Sequence, residues 1–292
     1  MMQTALQLVV TGVQIASVYV LFSLGLTLIF GVMKVVNFAH GQFFTLTALL
    51  VATLVPLLFK WGVALPIAFL MACLIGILAS VIVGMFLYQF GFRFFQRDLA
   101  GSFILSIGLV LLFEGAFQHF FGGASRSVVP IIEGSVSFFG VSVTAQRLLL
   151  CVVAASFTAL LYWVLTVTRL GKALRAVSID HEAAMLQGIP YKRIAFIGFA
   201  IATFLGALAG AIMAPIAVIT PTIGGDYLVK GFIAVIIGGL GSVPGAILGS
   251  LFIGFVESVG GYYFDPSTAN LAIFVLVMVI LLVRPKGLMG HG

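Results

Sequence analysis

Apolar residues run in blocks of about 20 along most of the chain, separated by short polar or charged stretches. Blocks of that length predict helices that cross a bilayer, whereas a membrane β-barrel would show alternating polarity. Residues 5–33 form the first predicted span. The polar stretch KVVNFAHGQF follows, and 42–59 forms the second span, closed by Lys60-Trp61-Gly62. Residues 63–91, 100–121, 147–167 and 194–219 predict four more. Between Gly122 and Thr144, glycine and serine mix with alternating Val-Ser-Phe-Phe, which predicts a short hairpin.

Residues 227–262 break the pattern, because an apolar run meets GGLGSVPG at 238–245. A helix over 228–240 would be only about 20 Å long, against a hydrocarbon core of about 30 Å. The pattern there is a half-helix, an irregular glycine turn and a longer helix to about residue 259, with 268–284 as the last span. The expected fold is an all-α integral membrane protein. It has about eight transmembrane helices plus a short half-helix, breaks at 34–42 and 238–245, and a single domain over 1–292. Breaks in corresponding positions point to a duplicated fold with its pathway between the repeats.

Composition agrees: 62% of the 292 residues are hydrophobic and 8% charged, against about a quarter charged in a soluble domain. The net charge of +6 gathers at segment ends, as the positive-inside bias requires, and implies no nucleic-acid partner. With 93–98, 169–193 and 284–286 (which includes Arg284 and Lys286) inside, the 122–144 loop lies outside, and so does the N-terminus if the first two segments both cross. Cys73 and Cys151 fall inside apolar segments and read as small hydrophobes. No metal-ligand cluster, His-Glu-x-x-His, Gly-x-Ser-x-Gly or Gly-x4-Gly-Lys-Ser/Thr pattern is present. No cofactor is expected, and ATP-driven work would need another subunit.

The most densely charged stretch is RLGKALRAVSIDHEAAMLQGIPYKR at 169–193. Asp180 suits a helix N-cap, and Glu182 suits the positive end of the dipole. Gly188 fits the left-handed position after the helix, with Pro190 as a stop. This predicts about two turns of helix over 181–188, with Ala183 and Ala184 as small contact residues. Such an element is either a docking site for another protein or a solvated connector.

Polar groups at membrane depth need a reason. Asn37 and His40, beside Gly41, are candidates for lining a pathway, or they satisfy backbone freed by the break. Gly238, Gly239 and Gly241 are candidates for the same route. Glu257 is either a pathway residue or the partner of Lys230. Glu114 and His119 are explained by the outer interface, and Tyr227, Tyr262 and Tyr263 read as belt anchors. Gly206 and Gly210 form a small-xxx-small pair for close packing, and Gly84 reads as a glycine of an ordinary span.

Glu182-Ala183-Ala184 followed by Gly188 resembles the EAA-x-x-x-G motif of ABC-importer permeases, although the match stops at Pro190. Gly171, Arg175-Ala176, Asp180, Ala184 and Gly188-Ile189 resemble the cytoplasmic loop of the LivH-type branched-chain amino-acid permease family. GVMKVVNFAHGQF at 31–43 and RPKGLMG at 284–290 resemble the same family, so the likeness runs from the first span to the C-terminal stretch. Gln42 departs from it where an acidic residue is expected. The resemblance implies a bacterial inner-membrane permease subunit working by alternating access. Its implied partners are a second permease subunit, two cytoplasmic ATPase subunits on the 169–193 loop (through Gly171, Arg175, Asp180, Glu182, Ala183, Ala184 and Gly188) and an extracytoplasmic solute-binding protein. Family members carry leucine-like amino acids, urea or amides. A stand-alone carrier or channel with broken helices is the rival reading.

Overall fold

The computed structural model describes residues 2–138, 140–284 and 287–289. Lys286, expected at the inner face, lies outside these residues. Helix α1 (Met2–Met33) is the central post, and nearly every residue from Val18 to Met33 is buried. A non-helical stretch leads to α2 (His40–Lys60), and α3 (Leu65–Phe90) returns. α4 (Leu99–Phe121) follows, then a hairpin of β1 (Ser135–Phe138) and β2 (Val141–Thr144), paired antiparallel with Ser135 opposite Thr144. Next come α5 (Ala145–Val167), α6 (Arg169–Ile179), α7 (His181–Leu186) and α8 (Tyr191–Met213). α9 (Ile223–Gly238), α10 (Val243–Tyr263) and α11 (Pro266–Val283) complete the bundle.

Among the described residues, seven helices are long and apolar enough to cross a membrane: α1, α2, α3 with its 3-10 extension to Phe94, α4, α5, α8 and α10. α11 adds a shorter apolar helix, and α9 is the half-helix. α1 packs against α5, α8, α9 and α10, while α2 packs against α3, α8 and α9. α4 keeps most of its apolar side chains exposed, as a lipid-facing helix does.

Glycine sets the closest crossings. A Cβ on Gly41 would lie 2.5 Å from the Gly224 carbonyl oxygen, and one on Gly206 would lie 2.9 Å from His40 Nε2. Gly210 meets the Phe44 carbonyl, so the Gly206/Gly210 pair does seat α8 on α2. Gly84 is no ordinary span residue, because its Cβ would lie 2.6 Å from Thr203 Oγ1 where α3 crosses α8.

Three boundaries differ from the sequence pattern. The sixth span stops at Met213 rather than 219, since Pro215 removes an N–H and disfavours helix just before it. The released segment pairs with the loop that follows α4, Arg126 N to Ile219 O at 2.9 Å and Ile219 N to Arg126 O at 2.8 Å. The half-helix begins at Ile223 instead of 228. Finally, α6 was not foreseen: Leu174 and Val177 bury one side of it, beneath a surface of Arg and Lys that reads as loop.

Candidate functional site

The charged loop builds a rigid bracket. Thr168 caps α6 by accepting from Gly171 N at 3.1 Å, and a side chain at Gly171 would collide with the Val164 and Leu165 carbonyls. Gly171 is therefore a packing glycine between α5 and α6. Arg175 donates from Nη2 to Thr166 O at 3.2 Å, tying α6 back to α5. A Cβ built on Gly198 of α8 would lie 3.3 Å from Leu174 and 3.7 Å from Val32 of α1, and α6 packs against both helices.

α7 follows the expected capping. Asp180 Oδ1 accepts from Glu182 N at 2.9 Å and Ala183 N at 3.1 Å, which holds its carboxyl below the usual carboxylate range. Gly188 takes φ +80° and donates to Met185 O at 2.9 Å. The small residue at the motif's centre faces inward: Ala184 is 5% exposed and belongs to the core. Leu186 is 87% exposed and Ile179 also 87%, so bare apolar side chains stand on a basic, otherwise polar loop.

The first break is re-entrant. Lys34 turns the chain at φ +53°, Arg97 N donates to Met33 O at 3.2 Å, and Val36 N donates to Ser102 Oγ at 3.2 Å. α2 then begins alongside the middle of α1, where His40 lies 4.8 Å edge-on from Phe22. Asn37, His40 and Gln42 are all buried, and none lines a cavity described below. The Asn37 side-chain amide makes no hydrogen bond within the bundle. Phe22 and Phe43 pack against His40 and Phe44 packs against Phe22, which makes an aromatic layer.

In the second break, Gly239 and Gly241 adopt φ +104° and +85°, and Gly238 and Gly245 lie backbone against backbone. The carbonyls at the end of α9 are satisfied from far along the chain. Leu288 N donates to Ile237 O at 2.7 Å and Met289 N to Gly238 O at 3.0 Å.

Polar side chains gather where α1, α9 and α10 pack together, away from the two breaks. Lys230 on α9 pairs with Glu257 on α10 (Nζ to Oε1, 2.6 Å), and Tyr19 on α1 donates to Glu257 Oε2 at 2.6 Å. Tyr227 stacks on Phe44 at 4.4 Å and meets Tyr19 at 5.9 Å. It is thus an internal residue and not a belt anchor, because α9 starts at membrane depth. Glu257 does partner Lys230, as one of its two readings had it, yet it also borders three cavities. A cavity of about 200 Å³ runs from Arg147, in the first turn of α5, to Tyr19, Tyr227 and Glu257. A second cavity, of about 410 Å³, shares Arg147 and Ile216 with it and is lined by Pro130 and Glu133 beside the hairpin. Together they reach from residues beside the hairpin to Glu257.

Tyr19 and Arg147 escaped the sequence reading. Arg147 carried a faint signal, as a cation at the start of a span on the side where cations are scarce.

Seven apolar helices long enough to cross a membrane, broken helices that meet within the bundle, and an ion pair bordering a cavity fit a multi-pass membrane transport protein. The chain belongs to the family described as the branched-chain amino acid transport system / permease component, whose profile matches residues 8–283. It is 28% identical to the high-affinity branched-chain amino acid transport system permease protein BraD of Pseudomonas aeruginosa, covering 98% of this chain and 96% of that one. Identity to the LivH permease protein of Salmonella typhimurium is also 28%, with 98% and 96% covered. The ribose import permease protein RbsC of Haemophilus influenzae is 24% identical over 83% of this chain and 73% of its own. No solved structure matches the chain.

Proposed function

We propose that this chain is the permease subunit of an ATP-driven importer for branched-chain amino acids or a related small polar solute, folded as a single transmembrane domain. The loop bearing α6 and α7 faces the cytoplasm, where two ATPase subunits grip α7. A second permease subunit completes the passage, and a binding protein delivers solute at the hairpin face. The chain performs no covalent chemistry.

One observation carries this reading: α7 is anchored through Ala184 while presenting Leu186 to the outside. A stand-alone carrier would leave that leucine bare in water, whereas a docked ATPase covers it. Movement of α7 passes through α6 and Leu174 to α1 and α8. Those two helices flank His40 and the aromatic layer, so displacing them opens the layer toward the cytoplasm. The unpaired Asn37 amide supports a layer that rearranges, since an unsatisfied buried polar group costs about 1–3 kcal/mol in the closed arrangement. The related names support amino-acid cargo.

The test is to purify the chain with its co-expressed neighbours. ATPase subunits should accompany it, and L-leucine with its binding protein should stimulate ATP hydrolysis. Uptake by the chain alone in vesicles would overturn the proposal. So would labelling from outside intact cells of a cysteine placed at Lys172, when one at Ser127 should be the reactive site.

A further inference from the structure

The cavity between α1, α5, α9 and α10 has a chemistry of its own. Arg147 and Glu257 both line it, yet among the described residues the ion pair of Glu257 is with Lys230, and Arg147 has none. Between them the wall is aliphatic, formed by Ile15, Val18, Leu150, Met213 and Ile216. Buried Gln14 adds one amide. The volume, about 200 Å³, is below the roughly 300–1,000 Å³ of drug-sized sites, so the slot suits a solute of few heavy atoms.

A slot with a cation, an anion and an aliphatic wall is poorly matched to a neutral solute. Urea or an amide would leave the Arg147 guanidinium in the slot without a counter-charge. A free α-amino acid with an aliphatic side chain offers the complement of every group: carboxylate to Arg147, ammonium to Glu257, side chain to the wall. We infer that this cavity is the solute site of the permease and that Arg147 and Glu257 select a zwitterion. The inference rests on the importer reading above and narrows its cargo.

Lys230 has a separate role. It neutralises Glu257 when the slot is empty, and Tyr19 fixes the second carboxylate oxygen, so the acceptor is oriented before solute arrives. Each carboxylate oxygen keeps a further lone pair for the incoming ammonium. Tyr19, Tyr227 and Glu257 line one end of the slot, and the route past Arg147 toward Pro130 and Glu133 is the way in.

The experiment reads the slot directly in the assembled importer. Ile15→Cys is introduced with Cys73→Ala and Cys151→Ala, and its modification by a water-soluble maleimide is timed. L-leucine should slow the reaction by about threefold at twice its dissociation constant, where about two-thirds of the slots are filled. Leucinamide, which lacks the carboxylate, and 4-methylpentanoate, which lacks the ammonium, should not. Protection by L-leucine should vanish with Arg147→Gln and with Glu257→Gln. Equal protection by all three compounds, protection by urea, or no protection by L-leucine would each overturn the inference. Protection that survives both substitutions would do the same. ATPase co-purification, measured on the same preparations, separates failure of the slot from failure of α7 docking.

Discussion

Ala184 and Leu186 stand on opposite sides of one short helix, the first 5% exposed and the second 87%. The inward residue holds the helix to the bundle, and the outward one is left for a partner. Leu186→Asp should therefore keep normal membrane levels while ATPase association falls by about tenfold or more, the scale of losing a buried anchor at an interface. Ala184→Trp should act differently, because overpacking a filled site costs about 1–3 kcal/mol and disturbs the bracket itself. Co-purification and membrane abundance, measured together for both variants, check this. Equal behaviour of the two would contradict the assignment of faces.

The cap on α7 depends on ionised Asp180. Its two backbone hydrogen bonds lower the folded pKa, so the cap's contribution is fully present above the ordinary Asp range. It is lost as pH falls through the depressed value. Amide exchange at Glu182 and Ala183 should be slow at neutral pH and speed up in that acid window. Asp180→Asn, which keeps a capping oxygen without the charge, should remove the pH dependence and spare much of the protection.

The glycine turn tests backbone conformation apart from space. Gly239 sits at φ +104°, where a β-branched residue is strained, while Gly108 on α4 has nothing within 4 Å of an added Cβ. Gly239→Val should cut solute uptake sharply and Gly108→Val should leave it near normal. Gly84 would be a poor control, since Thr203 fills the space its side chain would need. Equal uptake by the Gly239 and Gly108 variants would reduce the turn to a passive connector.

The Lys230–Glu257 pair should show a characteristic order of stabilities. Lys230→Met strands a carboxylate that is 24% exposed within an apolar bundle. Removing one partner of a buried pair costs about 3–5 kcal/mol, and this pair, being partly open to its cavities, should lose less. The double change Lys230→Met with Glu257→Met should recover most of that loss. Thermal unfolding of the purified permease measures it, and a double variant less stable than either single one would refute the idea.

Short-range chemistry was the legible part. Asp180, Glu182, Gly188 and Pro190 lie within a few residues of one another, and each acts on its own helix, so the capped α7 could be read directly. Gly206 and Gly210 were legible as a pair because their spacing puts both on one helix face, though α2 as their partner was not. Which way Ala184 points depends on α6 and α8, neither of which its neighbours encode. Tyr227 looked like a belt anchor because a tyrosine near a span end usually is one. Only the re-entry of the chain before Ile223 carries it to mid-membrane. Arg147 and Glu257 are far apart in sequence, and the cavity they share exists only once four helices have packed.

The hydrogen bonds from Leu288 and Met289 to the end of α9 also set an order of events during synthesis. Ile237 and Gly238 emerge from the ribosome before α10 and α11, and their carbonyls have these partners only after both later helices have been threaded. Until then the half-helix ends in apolar surroundings with unmet acceptors, a state that favours water or a chaperone over lipid. The last described residues thus act as a latch on a helix made much earlier, and the pathway cannot reach its final shape before translation has passed them.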